Sequence, residues 1–276
     1  MCLKHRVVLA PMTRFRARTL ITHQAGGYAH VPGIWSDEQI SRWKEVTEAV
    51  HAKGSYIYLQ LWAVGRTPVL GTPEVEPDFP YDLPRPHVSE VKEYVQWFAT
   101  AAKNAVYGAG FDGVEVHGAN GYLVDQFLQD VSNDRTDEYG GSIENRTRFP
   151  LDVVDAVVKA VGAQRTAIRL SSWREFQGMR MKDPNNFPLL SHPTLSYIHV
   201  LEPRLVNRLT YFELNMDLPG ENSVAEVGLK KNSEPDLPYR LEHNIPFNAY
   251  DRKTFYVLDG KISEGYTDYP FSTSKN

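Results

Sequence analysis

Residues 111–149 read FDGVEVHGANGYLVDQFLQDVSNDRTDEYGGSIENRTRF, and this stretch decides the fold. Asp112–His117 (DGVEVH) is rich in valine and reads as a strand. Small residues follow it directly: Gly118, Ala119 and Gly121. At its far end the stretch enters Ile143–Val161, which carries a long helical period. Strand, small-residue loop and helix in that order make one unit of a parallel α/β architecture.

The same unit recurs on both sides. Arg6–Met12 (RVVLAPM) reads as a buried strand, and Thr19–Thr22 (TLIT) as a very short one. Ser36, with Glu38 and Gln39 behind it, opens a helix that carries Ile40, Trp43, Val46 and Val50 on one face and stops at Gly54. Tyr56–Trp62 (YIYLQLW) is the next strand. Residues 67–88 are rich in proline and acid and read as a loop. Val88–Gly108 is helical, with Ser89 as its expected N-cap. Thr166–Leu170 (TAIRL) and Leu195–Leu201 (LSYIHVL) are further strands, and Ser223–Val227 is a weak one. No GxGxxG follows the first strand, so a Rossmann domain has no support. The fold class is therefore α/β, a (β/α)8 TIM barrel in one domain over residues 1–276. The barrel is irregular or incomplete, because its second and seventh strand regions are short or missing.

Composition narrows the partners. A net charge of −4, with scattered basic residues, argues against nucleic acid. Cys2 is the only cysteine, which excludes internal disulfides and cysteine metal clusters and fits a reducing, cytoplasmic setting. No apolar run approaches the roughly 18 residues of a membrane span. Oligomeric state is open, with a homodimer possible.

In a barrel, chemistry sits where strands end. His117 and Asn120 are neutral donors at one such end, suited to a carbonyl oxygen that gains negative charge. Tyr122 is placed to give a proton to a neighbouring carbon. Gln60 offers an amide to the polar edge of a planar ring, and Arg169 a positive charge to an electron-rich ring nitrogen. Glu115 and His117 share a strand face, but no third metal ligand is evident, so no metal is expected. The charges from Asp134 to Arg148 read as a structural ion-pair network.

Residues 111–149 resemble the signature stretch of the old yellow enzyme family, especially its fungal branch. Further blocks agree in order: HRVVLAPMTRFRA at 5–17, QAGGYAHVPGIWS at 24–36, RTAIRLS at 165–171, HVLEPR at 199–204 and PDLPYRL at 235–241. The resemblance implies an FMN-dependent reductase that moves hydride from NADPH, through flavin, to the activated C=C bond of an enone or enal. His117 and Asn120 would hold the substrate carbonyl and Tyr122 would protonate the α-carbon. Pro11, Met12, Gln60 and Arg169 would line the flavin ring, Thr13 would hydrogen-bond it, and Gly228 would lie at the phosphate end. Trp62 and Tyr256 would shape the substrate pocket. Fungal relatives of this kind point to secondary metabolism.

Three family segments are missing or altered. Between Ala17 and Gln24 the chain jumps across a long loop, a full helix and a complete second strand of the family. Residues 203–224 lack the Gly-rich phosphate turn, and Leu229 replaces a phosphate-binding arginine. The expectation is weakened FMN affinity. A flavin-free or non-catalytic descendant of the family is the competing reading, and a metal-dependent barrel hydrolase lacks the strand-end ligands it would need.

Overall fold

The computed structural model describes residues 8–9, 11, 19–25, 31–65, 88–173, 178–179, 181–182, 195–201, 235–249 and 268–272. They belong to two compact units, one of residues 18–219 and one of residues 1–17 with 220–276. Most of the expected strand at residues 6–12, the loop at 67–87 and the weak strand at 223–227 lie outside the described residues.

In the larger unit the described elements alternate. They are β1 (Thr19–Leu20), α1 (Asp37–His51), β2 (Tyr58–Trp62), α2 (Val88–Lys103), β3 (Gly113–Gly118), α3 (Leu123–Leu128), α4 (Ile143–Val161), β4 (Thr166–Leu170) and β5 (Tyr197–Val200). The strands form a five-stranded sheet in sequence order, and every neighbouring pair is parallel. That order, with a helix crossing after each of β2 and β3, is the wall of an α/β barrel. β1 has only two residues, as expected for the shortened second barrel strand, and is extended by a bridge from Leu20 to Gly33.

Strand alternation divides the side chains between two faces. Leu59, Leu61, Val114, Val116, Ile168 and Leu170 point outward and are buried under the helices. α4 meets them with Phe149, Val153, Val154, Val157 and Val161, spaced as one helical stripe. Ser142 caps that helix by accepting from the Asn145 amide at 3.3 Å, and Gly162 ends it at φ 93°. α2 adds Val91, Phe98, Ala101, Ala102 and, in a following π turn, Ala105. The alanines leave room for α2 to pack against its neighbours, and burial of the large apolar side chains contributes about 1.5–3 kcal/mol each.

Three expectations need correcting. Ser36 does cap α1, with a full capping box to Gln39, but Val46 is 42% exposed and Thr47 takes the buried position. The reason is a turn 62 residues away: the Thr47 hydroxyl donates to the Ala109 carbonyl at 2.6 Å. α2 begins at Val88, so Ser89 lies inside the helix rather than at its cap. Of the Asp134–Arg148 charges, Arg135 pairs with Asp137, whereas Arg146 donates to the carbonyls of Leu128 and Gly141 and Arg148 to that of Glu138. These arginines satisfy backbone acceptors at the ends of α3 and the loop before α4, where ion pairing was expected.

In the smaller unit, α5 (Leu237–Glu242) is organised around Arg240. Its guanidinium joins Asp236 at 2.6 Å, the Pro246 carbonyl at 2.6 Å and the Pro270 carbonyl at 3.2 Å. Among the described residues no helix is long and apolar enough to cross a membrane.

Candidate functional site

The inner face of the sheet is polar, and the register sets it out in rows. Gln60, Glu115, Ala167 and Tyr197 are neighbours in one row. His117, Arg169 and His199 form the next, nearer the C-terminal ends of the strands. Below them the Tyr58 ring fills the space that Gly113 leaves: a Cβ at Gly113 would stand 2.3 Å from it. Glu115, His117 and Arg169 are all buried. So concentrated a set of polar groups inside a barrel marks a site rather than a core.

The residues after β3 are folded back over this row. Asn120 at φ 60° and Gly121 at φ 76° are consecutive left-handed residues, a conformation that Asn and Gly adopt at least cost. The turn delivers Tyr122 to the start of α3 and onto two sequence-distant or preceding rings. Its ring lies 5.1 Å from Trp62, edge to face, and 5.1 Å from His117. Trp62 and Tyr122 share a small apolar cluster with Leu20 and Val64. The structure therefore brings Gln60, Trp62, His117, Asn120, Tyr122 and Arg169 together at the ends of β2, β3 and β4. Pro11 belongs to the other compact unit. Met12, Thr13, Gly228 and Tyr256 lie outside the described residues.

Two supporting groups escaped the sequence reading. One is Asp125, fully buried in the first turn of α3. Its carboxylate accepts from the Gly121 amide at 2.8 Å, from Gln129 at 3.0 Å and from Ser171 at 3.2 Å. Ser171, just past β4, in turn accepts from the Asn120 amide at 2.8 Å. The left-handed turn is thus clamped to both α3 and β4. The only hint in the sequence was an acid within the apolar run YLVDQFL. The other is the Glu115–His199 pair, 2.9 Å apart across three strands.

Burial pushes the Asp125 carboxyl up to about 6, against the three hydrogen bonds that favour its charged form. A folded-state value above the unfolded 3.8 means that the folded chain binds the extra proton between about pH 4 and 6. Stability from this group is therefore lost as pH rises through that window. The stability of wild type relative to Asp125→Asn should fall by up to about 3 kcal/mol from pH 4 to pH 7. Thermal melts of both proteins across that range measure it, and a constant difference would show that Asp125 titrates normally.

Comparison with known proteins places the chain in a family. A model of the NADH:flavin oxidoreductase / NADH oxidase family matches residues 17–206. The chanoclavine-I aldehyde reductase fgaOx3 of Penicillium roqueforti is 42% identical, the match covering 98% of this chain and 93% of that protein. The NADP-dependent oxidoreductase lnbE of Aspergillus flavus is 40% identical, with the same two coverages. A protein of Epichloe festucae var. lolii named "Probable inactive reductase easA" is 37% identical over 98% of this chain and 92% of its own. Among solved structures, the old yellow enzyme from Pichia sp. superposes with a TM-score of 0.76 at 29% identity, covering 94% of this chain and 80% of that one. Morphinone reductase gives 0.72 at 31% identity, covering 92% and 82%.

The fold is thus the α/β barrel of the old yellow enzymes. The chain belongs to the NADH:flavin oxidoreductase / NADH oxidase family and is an oxidoreductase. It is also abridged. The match to the Penicillium protein spans 350 positions against 276 residues here, which leaves at least 74 positions without a counterpart.

Proposed function

We propose that this chain is an FMN-dependent ene-reductase that uses NADPH to reduce the C=C bond of an α,β-unsaturated carbonyl compound. The observation that carries the reading is the convergence of His117, Asn120 and Tyr122 at the end of β3, with Gln60 and Arg169 on the same inner face. Family membership supports FMN, and the name of the Aspergillus relative supports NADP. The named substrate of the Penicillium relative supports an aldehyde as the carbonyl. Fungal relatives support a role in secondary metabolism.

The donor set fits a flavin ring. An amide that both donates and accepts, Gln60, matches a ring edge of alternating N–H and C=O groups, and the Arg169 cation matches an electron-rich ring. Gln60 and Arg169 would hold the ring of FMN, which would supply hydride chemistry from NADPH at the alkene's β-carbon. His117 and Asn120 hold the carbonyl oxygen and stabilise the negative charge that gathers on it. The Tyr122 hydroxyl donates a proton to the α-carbon. Trp62 packs edge-on against Tyr122 and keeps its ring at the substrate. Burial of His117 and Tyr122, at 1% and 5% exposure, excludes water and strengthens each of these interactions.

The positions without a counterpart, at least 74, and the relative named inactive favour a second reading, a descendant that no longer holds flavin. The visible absorption spectrum separates the two. The purified chain, incubated with FMN and gel-filtered, should retain flavin absorbance that NADPH bleaches. A chain that stays colourless would sink the reductase reading.

A further inference from the structure

Glu115 is buried on the inner face of the site, with its side chain 3% exposed. Both carboxylate oxygens are engaged. The Gln60 amide nitrogen donates to Oε1 at 2.7 Å, and His199 Nδ1 stands 2.9 Å from Oε2. Tyr197 is close enough that burial first, and the Glu115 charge second, push its phenol well above the ordinary tyrosine value. The groups around the carboxylate come from β2 and β5, and Glu115 itself stands on β3.

This arrangement decides something that a glutamine cannot decide alone. The two ends of an amide are nearly the same size, and only hydrogen bonding tells them apart. The bond to Glu115 Oε1 is donated by the Gln60 nitrogen, so the amide's NH2 group is turned inward. The amide oxygen of Gln60 then faces away from Glu115. Turned the other way, Gln60 would set its oxygen against a buried carboxylate and leave that acceptor without its donor, a costly arrangement. His199 matters in the same way, since a donor at Oε2 keeps the carboxylate in one rotamer.

We propose that Glu115 is a positioning residue for the cofactor: through Gln60 it presents an acceptor to the ring N–H of the flavin, and His199 anchors it. The inference rests on the FMN reading above and goes beyond it, because Glu115 itself touches only protein. A flavin pyrimidine edge carries one N–H between two carbonyls. The fixed amide offers an oxygen to that N–H and its second N–H to an adjacent carbonyl. An amide free to flip would match the edge only part of the time.

The test is an FMN titration of the flavin-depleted full chain, followed by flavin fluorescence, on wild type, Glu115→Gln, Gln60→Ala and the double variant. Circular dichroism confirms folding of each. Glu115→Gln should weaken FMN by about tenfold or more in the wild-type background. In the Gln60→Ala background it should change the affinity by less than about twofold, since its effect passes through the missing amide. The midpoint potential of bound flavin should also move in Glu115→Gln. An equal loss in both backgrounds would make Glu115 scaffold and overturn the inference. If Glu115→Gln does not fold, FMN methylated at its ring N–H serves instead. Wild type should bind it about tenfold more weakly than FMN, and Gln60→Ala should bind the two alike. Equal binding of both flavins by wild type would again overturn the inference. A wild type that binds no FMN at all would overturn the FMN reading and the inference together.

Discussion

Tyr122→Phe should slow reoxidation of the reduced flavin by an enone about 10²- to 10⁴-fold, while reduction of the flavin by NADPH stays within about twofold of wild type. The substitution removes a single oxygen and keeps the ring. The edge-to-face contact with Trp62 and the packing on His117 involve that ring, so the site keeps its architecture. What is lost is the proton for the α-carbon. That proton is needed only when hydride goes to the alkene, so the two halves of the cycle respond differently. Stopped-flow measurement of each half separates them. Equal losses in both would assign Tyr122 a structural role, which its 5% exposure and its place in an apolar cluster would then explain. A normal rate with the enone would remove Tyr122 from the chemistry altogether.

What could be read from the chain depended on how local the cause was. α4 and β4 have the bounds their residues announce, Ile143–Val161 and Thr166–Leu170. The signals there are adjacent: Ser142 before the helix, Gly162 after it, and an apolar stripe between them. The β3 end was legible for the same reason, since His117, the small residues and Tyr122 lie within one short stretch. Val46 was misread because its face is decided by the Thr47–Ala109 bond, which joins residues 62 positions apart. Glu115 shows the limit most clearly. Alternation alone put it on the face of His117, and there a metal was the natural alternative. Its real partners stand 55 and 84 residues away, on strands whose neighbourhood only the folded sheet defines.

The abridgement divides along the same line. The described substrate-side groups, Trp62, His117, Asn120 and Tyr122, come from β2, β3 and the loop after β3. By the family resemblance, the missing or altered segments at residues 17–24, 203–224 and 229 would concern the barrel wall and the phosphate end of the cofactor. A loss of that kind would lower FMN affinity while leaving the carbonyl-side residues in place. Substrate-side variants should therefore keep their expected ordering even where flavin binding is weak, provided each is measured at saturating FMN.

His117→Ala tests that substrate side directly. Phenols mimic the oxygen of a reacting enone, and they should bind the FMN-loaded variant about 10- to 100-fold more weakly than wild type. Turnover of an enone should fall by a further factor, because a donor aimed at developing charge is worth more in the transition state than in the ground state, commonly 10²–10³ in rate. Truncating a buried histidine also leaves a cavity, so His117→Asn provides the control: a shorter donor that keeps part of the volume. If hydrogen bonding is the role of His117, the Asn variant recovers part of the phenol affinity. If packing against Tyr122 is the role, the two variants lose affinity in proportion to volume removed, and Tyr122→Phe leaves the remaining effect unchanged. Phenol titrations monitored by the long-wavelength flavin band give the comparison in one experiment. Unchanged phenol binding in His117→Ala would mean that the carbonyl is held elsewhere, and Asn120, clamped by Ser171 and the Asp125 network, would be the residue to vary next.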